Sequence, residues 1–146
     1  MATERRARAI WTGSLQEGQG TLTAESSGVF TDLPVTWAAR TEAPGGKTSP
    51  EELLAAAHAS CFSMALSGAL AKAGSPPERL EVEATCTFDK TDGGFKVGSM
   101  RITVNARVPG IDEGAFKDAA EGAKENCPIS GALKGNVAIS LEAKLE

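Results

Sequence analysis

At 146 residues, 41% of them hydrophobic, the chain is long enough to bury a real core, and 1–146 reads as a single domain. A net charge of −4 and a pI near 5.1 argue against nucleic acid as the main partner. Five Phe, two Trp and no Tyr are thin for a carbohydrate-binding or base-stacking surface.

No apolar run reads as long enough to span a bilayer and no signal-peptide pattern follows the N-terminus, so a cytoplasmic protein with no membrane partner is expected. Three cysteines without a C-x-x-C do not make a disulfide scaffold. In a reducing compartment they are buried thiols, metal ligands or redox groups.

Taken in order, residues 5–12 alternate Arg6 and Arg8 with Ala7 and Ala9, the pattern of a half-buried strand. Gln16 to Gly20 is a turn. Short strands are expected over Thr21–Glu25, at Val29–Phe30 and over Leu33–Ala39, followed by a Gly- and Pro-rich loop from Thr41 to Lys47. Gly46-Lys47-Thr48 imitates the end of a phosphate-binding loop, but Thr41 stands where that motif needs a glycine, so nucleotide binding is not expected.

The dominant element is a helix within Thr48–Gly74. Ser49 is its N-cap, Pro50 opens it, Glu52 completes an S-x-x-E capping box and Gly74 closes it. Between these ends almost every residue is small or apolar, so the helix needs cover on most sides. A hairpin follows, Leu80 to Phe88 and roughly Val97 to Val108, turning at Thr91-Asp92-Gly93-Gly94. A second helix runs from about Glu113 to Asn126, capped by Asp112 and stopped at Cys127 by Pro128. Pro128–Leu133 is a short helical turn, and Val137 to Ala143 is the last strand. The class is α+β, with antiparallel sheets and two main helices.

Cys61 lies inside the small-residue helix and Cys127 at a helix junction, where free backbone N–H groups stabilise a thiolate. If the two helices pack side by side, the thiols meet. One can then attack a peroxide O–O bond and the other resolve the sulfenic acid to a disulfide. Arg40 and Glu51 are the nearest charged candidates to assist. Cys86 falls in the apolar register of its strand and reads as packing.

The segments SPEELLAAAHASCFSMALS, Ser49–Ser67, and ENCPISGAL, Glu125–Leu133, resemble the OsmC/Ohr family of thiol-dependent peroxidases, its OsmC branch in particular. The resemblance implies Cys61 as peroxidatic cysteine, Cys127 as resolving cysteine, and Glu51 and Arg40 as the assisting pair, with Arg5, Arg6 and Arg8 as weaker arginine candidates; it gives His58 no catalytic role. It further implies an intertwined homodimer with sheets wrapping two central helices, organic hydroperoxides as substrates with hydrogen peroxide poorer, and a dithiol reductant such as dihydrolipoamide or a lipoylated protein. No metal, haem or flavin is implied.

Ten residues of helix put Glu51 about 15 Å along the axis from Cys61, so the pair of one chain is expected to serve the cysteine of its partner. Competing readings are a non-enzymatic hydrophobic-ligand-binding stress protein on the same fold, and a metal site of Cys61, Cys127, His58 and Glu51.

Overall fold

In the computed structural model, which describes residues 1–146, contacts divide the chain into two units, Met1–Leu53 and Leu54–Glu146. In the first unit, β1 (Arg8–Thr12), β2 (Gln19–Thr23) and β3 (Leu33–Val35) form an antiparallel sheet in the order β1-β2-β3. Trp11 pairs with Gly20 across β1 and β2. A Cβ on Gly20 would come within 2.7 Å of the Trp11 ring, so the glycine leaves room for the indole beside the backbone.

The expected strand over Leu33–Ala39 ends early. Thr36 takes an extended conformation and its hydroxyl accepts from the Ala39 N–H, 3.1 Å away, starting α1 (Trp37–Thr41). A threonine able to cap outweighs the strand propensity of the residues around it. Val29 and Phe30 also lie outside any strand.

Helix α2 (Pro50–Lys72) starts in the first unit and continues through the second. Ser49 Oγ accepts from the Glu52 N–H at 3.1 Å, as the capping box requires. The Glu52 carboxylate, however, accepts from Thr48 Oγ1 at 2.6 Å. Gly74, at φ 87, ends the helix in the left-handed conformation glycine favours. Every fourth residue from His58 through Phe62 and Leu66 to Leu70 is fully buried, while Ala56, Ser60, Met64 and Gly68 form an exposed stripe. Contrary to the sequence expectation, these 23 residues are long and apolar enough to cross a membrane by length and composition, with a mean hydropathy of 1.5 over the best window. Only 22% of that window is buried within the chain.

In the second unit, β4 (Arg79–Thr91) and β5 (Gly94–Arg107) form the expected hairpin. The register shifts at Thr87/Phe88, which pair with Ser99 and Val97. Gly98 is therefore the extra residue of a bulge, and this is why Val97 and Met100 both read as apolar at an odd spacing. Helices α3 (Glu113–Asn126) and α4 (Pro128–Leu133) lead to β6 (Ala138–Leu145). One expectation fails here: β6 pairs parallel to β5, from Ser99↔Ala138 to Ala106↔Leu145, so the sheet is mixed rather than antiparallel. The two helices carry the chain back to the end where β5 begins, and a strand entering there runs alongside β5.

The core joins the α2 stripe to Ile102, Val104 and Ala106 of β5 and to Phe116, Ala120 and Ala123 of α3. Cys127 belongs to this cluster, because its place continues the α3 stripe by one further turn.

Candidate active site

Two side-chain pairs come together, each within one unit. In the second unit Cys127 Sγ lies 2.9 Å from Cys61 Sγ. Cys127 is 1% exposed, whereas Cys61, one position before the buried Phe62 on α2, is only partly buried. The pair thus has an inner and an outer sulfur. The third cysteine, Cys86, stands on β4 opposite Met100, and none of the three forms a disulfide.

The two sulfurs ionise differently. Burial pushes the Cys61 thiol up, and its hydrogen bond with Cys127 pushes it further, against a smaller opposing effect of the Ile129 N–H. Burial also pushes Cys127 up, but hydrogen bonds from Cys61, from the backbone N–H and hydroxyl of Ser130, and from the Ile129 N–H outweigh it, and the net direction is down. Either thiol is placed to donate across the 2.9 Å contact. The N–H groups that open α4 converge on Cys127, which is the cause of its downward direction. No cation is among the groups acting on Cys61.

In the first unit Arg40 and Glu51 form a forked ion pair. Arg40 Nε stands 3.0 and 3.1 Å from the two carboxylate oxygens, and Nη2 is 2.7 Å from Oε1. Glu51 is buried and the Arg40 side chain is 30% exposed. The guanidinium also sits 5.7 Å over the Trp37 ring, a cation–π contact that sequence reasoning missed. Arg40 forms one wall of a mostly apolar cavity of about 340 Å³ whose other walls include Trp11, Leu15, Val35 and Trp37. The scarcity of aromatics was the available signal: both tryptophans of the chain line this one cavity.

Of the remaining arginine candidates, Arg8 Nε donates to Glu25 at 2.8 Å and Arg5 Nη1 to the Glu4 carbonyl at 2.8 Å, while the backbone N–H of Arg6 donates to Ser26 Oγ at 2.6 Å. His58 Nε2 lies 2.7 Å from Ser130 Oγ in the core. No three His, Cys, Asp or Glu side chains are grouped as a metal would need.

The family described as OsmC-like protein matches residues 43–142. Peroxiredoxin OsmC of Escherichia coli is 38% identical over 144 residues, 99% of either chain. This chain belongs to the OsmC-like family. OhrB of Bacillus subtilis, an organic hydroperoxide resistance protein, is 36% identical over 99 residues, which are 66% of this OsmC-like chain and 70% of OhrB. The crystal structure of that OhrB superposes with a TM-score of 0.72 and 29% identity, covering 95% of this chain and 98% of OhrB. An OsmC-like protein from Mycoplasma pneumoniae reaches 0.76 at 18% identity, covering 99% of both, a likeness of fold alone.

Proposed function

We propose that this chain is a thiol-dependent peroxidase that reduces organic hydroperoxides to alcohols, with Cys61 attacking and Cys127 resolving. The observation that carries the reading is the contact of the two sulfurs at 2.9 Å, one partly exposed and one buried. A peroxide reaches the outer sulfur first. Cys61 gives up its proton, its sulfur lone pair attacks the terminal oxygen, the O–O bond breaks, and the alkoxide takes up the proton and leaves as alcohol. Cys127 then attacks the sulfenic sulfur, the S–O bond breaks, and a disulfide forms with loss of hydroxide. A dithiol such as dihydrolipoamide, free or on a lipoylated protein, returns both thiols, since its second step is intramolecular.

Cys61 needs a cation to ionise, and its own surroundings supply none. The Arg40–Glu51 pair offers one, pre-oriented by three hydrogen bonds. In this reading the pair of one protomer stands over Cys61 of the partner subunit in a homodimer, and the cavity between the two tryptophans holds the hydrocarbon part of the substrate. The thin cover on α2 supports the dimer: Met64 is 70% exposed in the middle of the helix, and a second copy of the same stripe is its natural cover. The single-domain reading of 1–146 and a cytoplasmic location belong to the same proposal, since a reducing compartment keeps the dithiol form available.

Steady-state turnover of cumene hydroperoxide against hydrogen peroxide, with dihydrolipoamide or glutathione as donor, tests the proposal. Faster turnover of the organic peroxide with the dithiol is expected, together with loss of turnover in Cys61→Ser. A Cys61→Ser protein that still consumes peroxide refutes the assignment and leaves a ligand-binding role for the apolar cavity.

A further inference from the structure

Two side-chain contacts join α2 to the start of α4, and the chemistry above uses one of them. Cys127 Sγ meets Cys61 Sγ at 2.9 Å, and His58 Nε2 meets Ser130 Oγ at 2.7 Å. His58 and Cys61 stand three apart on α2, and Cys127 and Ser130 three apart where α4 opens. Residues at that spacing are neighbours on one face of a helix, so the two contacts are successive rungs of one ladder. The second rung is dry: His58 and Ser130 are the buried polar residues of the second unit, and they are each other's partner. Nδ1 of His58 has no protein partner, so the bond to Ser130 is the ring's one polar attachment.

Little else holds α4 to α2. Six residues are too few for a helix to persist unaided. Ser130 is the one buried residue of α4, and Ile129 packs partly buried against the core. Lys134 Nζ is tied to Glu125 at 3.0 Å, but that pair is exposed, runs to α3 and holds weakly. Behind the cysteine, the Cys127 N–H donates to the Ala123 carbonyl at 2.9 Å and fixes the junction to α3.

Resting on the peroxidase reading, we propose that His58 and Ser130 are positioning residues for the resolving step: their hydrogen bond is a redox-inert tie that keeps the start of α4 on α2, and so Cys127 within reach of Cys61, after Cys61 has been oxidised. The sulfur rung cannot do this for itself, because peroxide turns Cys61 into S–OH and ends the thiol contact. Cys127 must then attack the sulfenic sulfur; the S–S bond forms, the S–O bond breaks, and the oxygen leaves with the Cys127 proton as water. The step is fast only while the two sulfurs are held close and aligned. Delay exposes the sulfenic acid to a second peroxide, which oxidises it irreversibly.

The test uses the full-length protein. Ser130→Ala removes the tie and Ser130→Thr keeps the hydroxyl. The double variant His58→Leu with Ser130→Ala removes the tie and strands no polar group, so it is expected to fold with a urea midpoint near that of wild type. It carries the test alone should Ser130→Ala misfold. Three quantities are read: the rate of disulfide formation after one equivalent of cumene hydroperoxide, the fraction of Cys61 found as sulfinic acid under excess peroxide, and the dithiol–disulfide equilibrium against dithiothreitol.

In Ser130→Ala and in the double variant, disulfide formation should slow about tenfold at every pH, and by more than the first oxidation does. Sulfinic acid should rise accordingly. The equilibrium should move about tenfold toward the dithiol, about 30 mV for a two-electron couple, because a looser dithiol loses more freedom on closing. Ser130→Thr should restore all three. A double variant that closes its disulfide at the wild-type rate overturns the proposal and leaves the bond as mutual satisfaction of two buried groups. A slowdown that disappears as pH rises overturns it too, since the effect would then be on ionisation and not on position. If wild-type protein forms no sulfenic acid at Cys61, the peroxidase reading fails, while the dithiothreitol equilibrium, which needs no peroxide, still decides whether the tie positions Cys127.

Discussion

Removing Arg40 tests the ion pair on which the assisted reading rests. Arg40→Ala deletes contacts of 3.0, 3.1 and 2.7 Å to Glu51 and leaves a carboxylate whose side chain is only 9% exposed without its cation. Stranding one member of a fully buried pair costs about 3–5 kcal/mol. The Arg40 side chain is 30% exposed, so water screens the pair and can reach the stranded carboxylate, which lowers the expected loss to about 2 kcal/mol. For a chain of this size that lowers the melting temperature by about 6 °C. Arg40→Lys keeps the charge but not the fork, and about half of the loss should return. Turnover should fall further than stability suggests, by about a hundredfold, because a positioned donor acts on the charge that develops as the O–O bond breaks. Urea and thermal unfolding report the first quantity and cumene hydroperoxide consumption the second. An Arg40→Ala protein that loses the stability yet turns over at the wild-type rate would show that the pair only holds α1 to the start of α2. One that loses neither would show an ordinary surface ion pair, and the reasoning from burial would be refuted.

Mixing Cys61→Ser with Arg40→Ala under subunit exchange should restore about a quarter of wild-type activity if sites are built across a two-fold dimer, since about half the dimers are mixed and each has one complete site; no recovery in mixed dimers confirmed by native mass spectrometry rules that arrangement out. Cys127→Ser should let Cys61 proceed to sulfinic acid under excess peroxide, and peptide mass spectrometry that finds Cys86 in a wild-type disulfide would overturn the pairing. Burial lowers the pKa of His58 from its ordinary 6.5, so as pH falls through that region the unfolded chain takes up a proton that the folded one does not, and stability drops. Urea midpoints measured from about pH 7.5 down to about pH 5.5 should fall in wild type and flatten in His58→Phe; equal slopes would refute the burial argument.

Much of this protein was legible in the chain because the signals are local. Capping at Ser49, the stop imposed on α3 by Pro128 and the Asp92-Gly93 turn act within a few residues, and all three elements lie where these signals place them. The candidate pairs were nameable for a similar reason, since Glu51, Cys61 and Cys127 stand at marked positions of two distinctive segments and Arg40 is the arginine just upstream of the first. Tertiary structure decided the rest. The direction of β6 depends on where α3 and α4 deliver the chain, which no run of alternating residues records. Thr36 could extend a strand or cap a helix, and the bond it makes to Ala39 chose the helix. The apolar length of α2 is the same beside a membrane, a core or a second subunit, so composition alone could not say what covers it. His58 and Ser130 are distant in sequence and each unremarkable there; only the packing of α2 against the segment after Cys127 sets them 2.7 Å apart. That same packing gives two chemically identical thiols different surroundings, because burial and converging N–H groups are properties of a site and not of a residue.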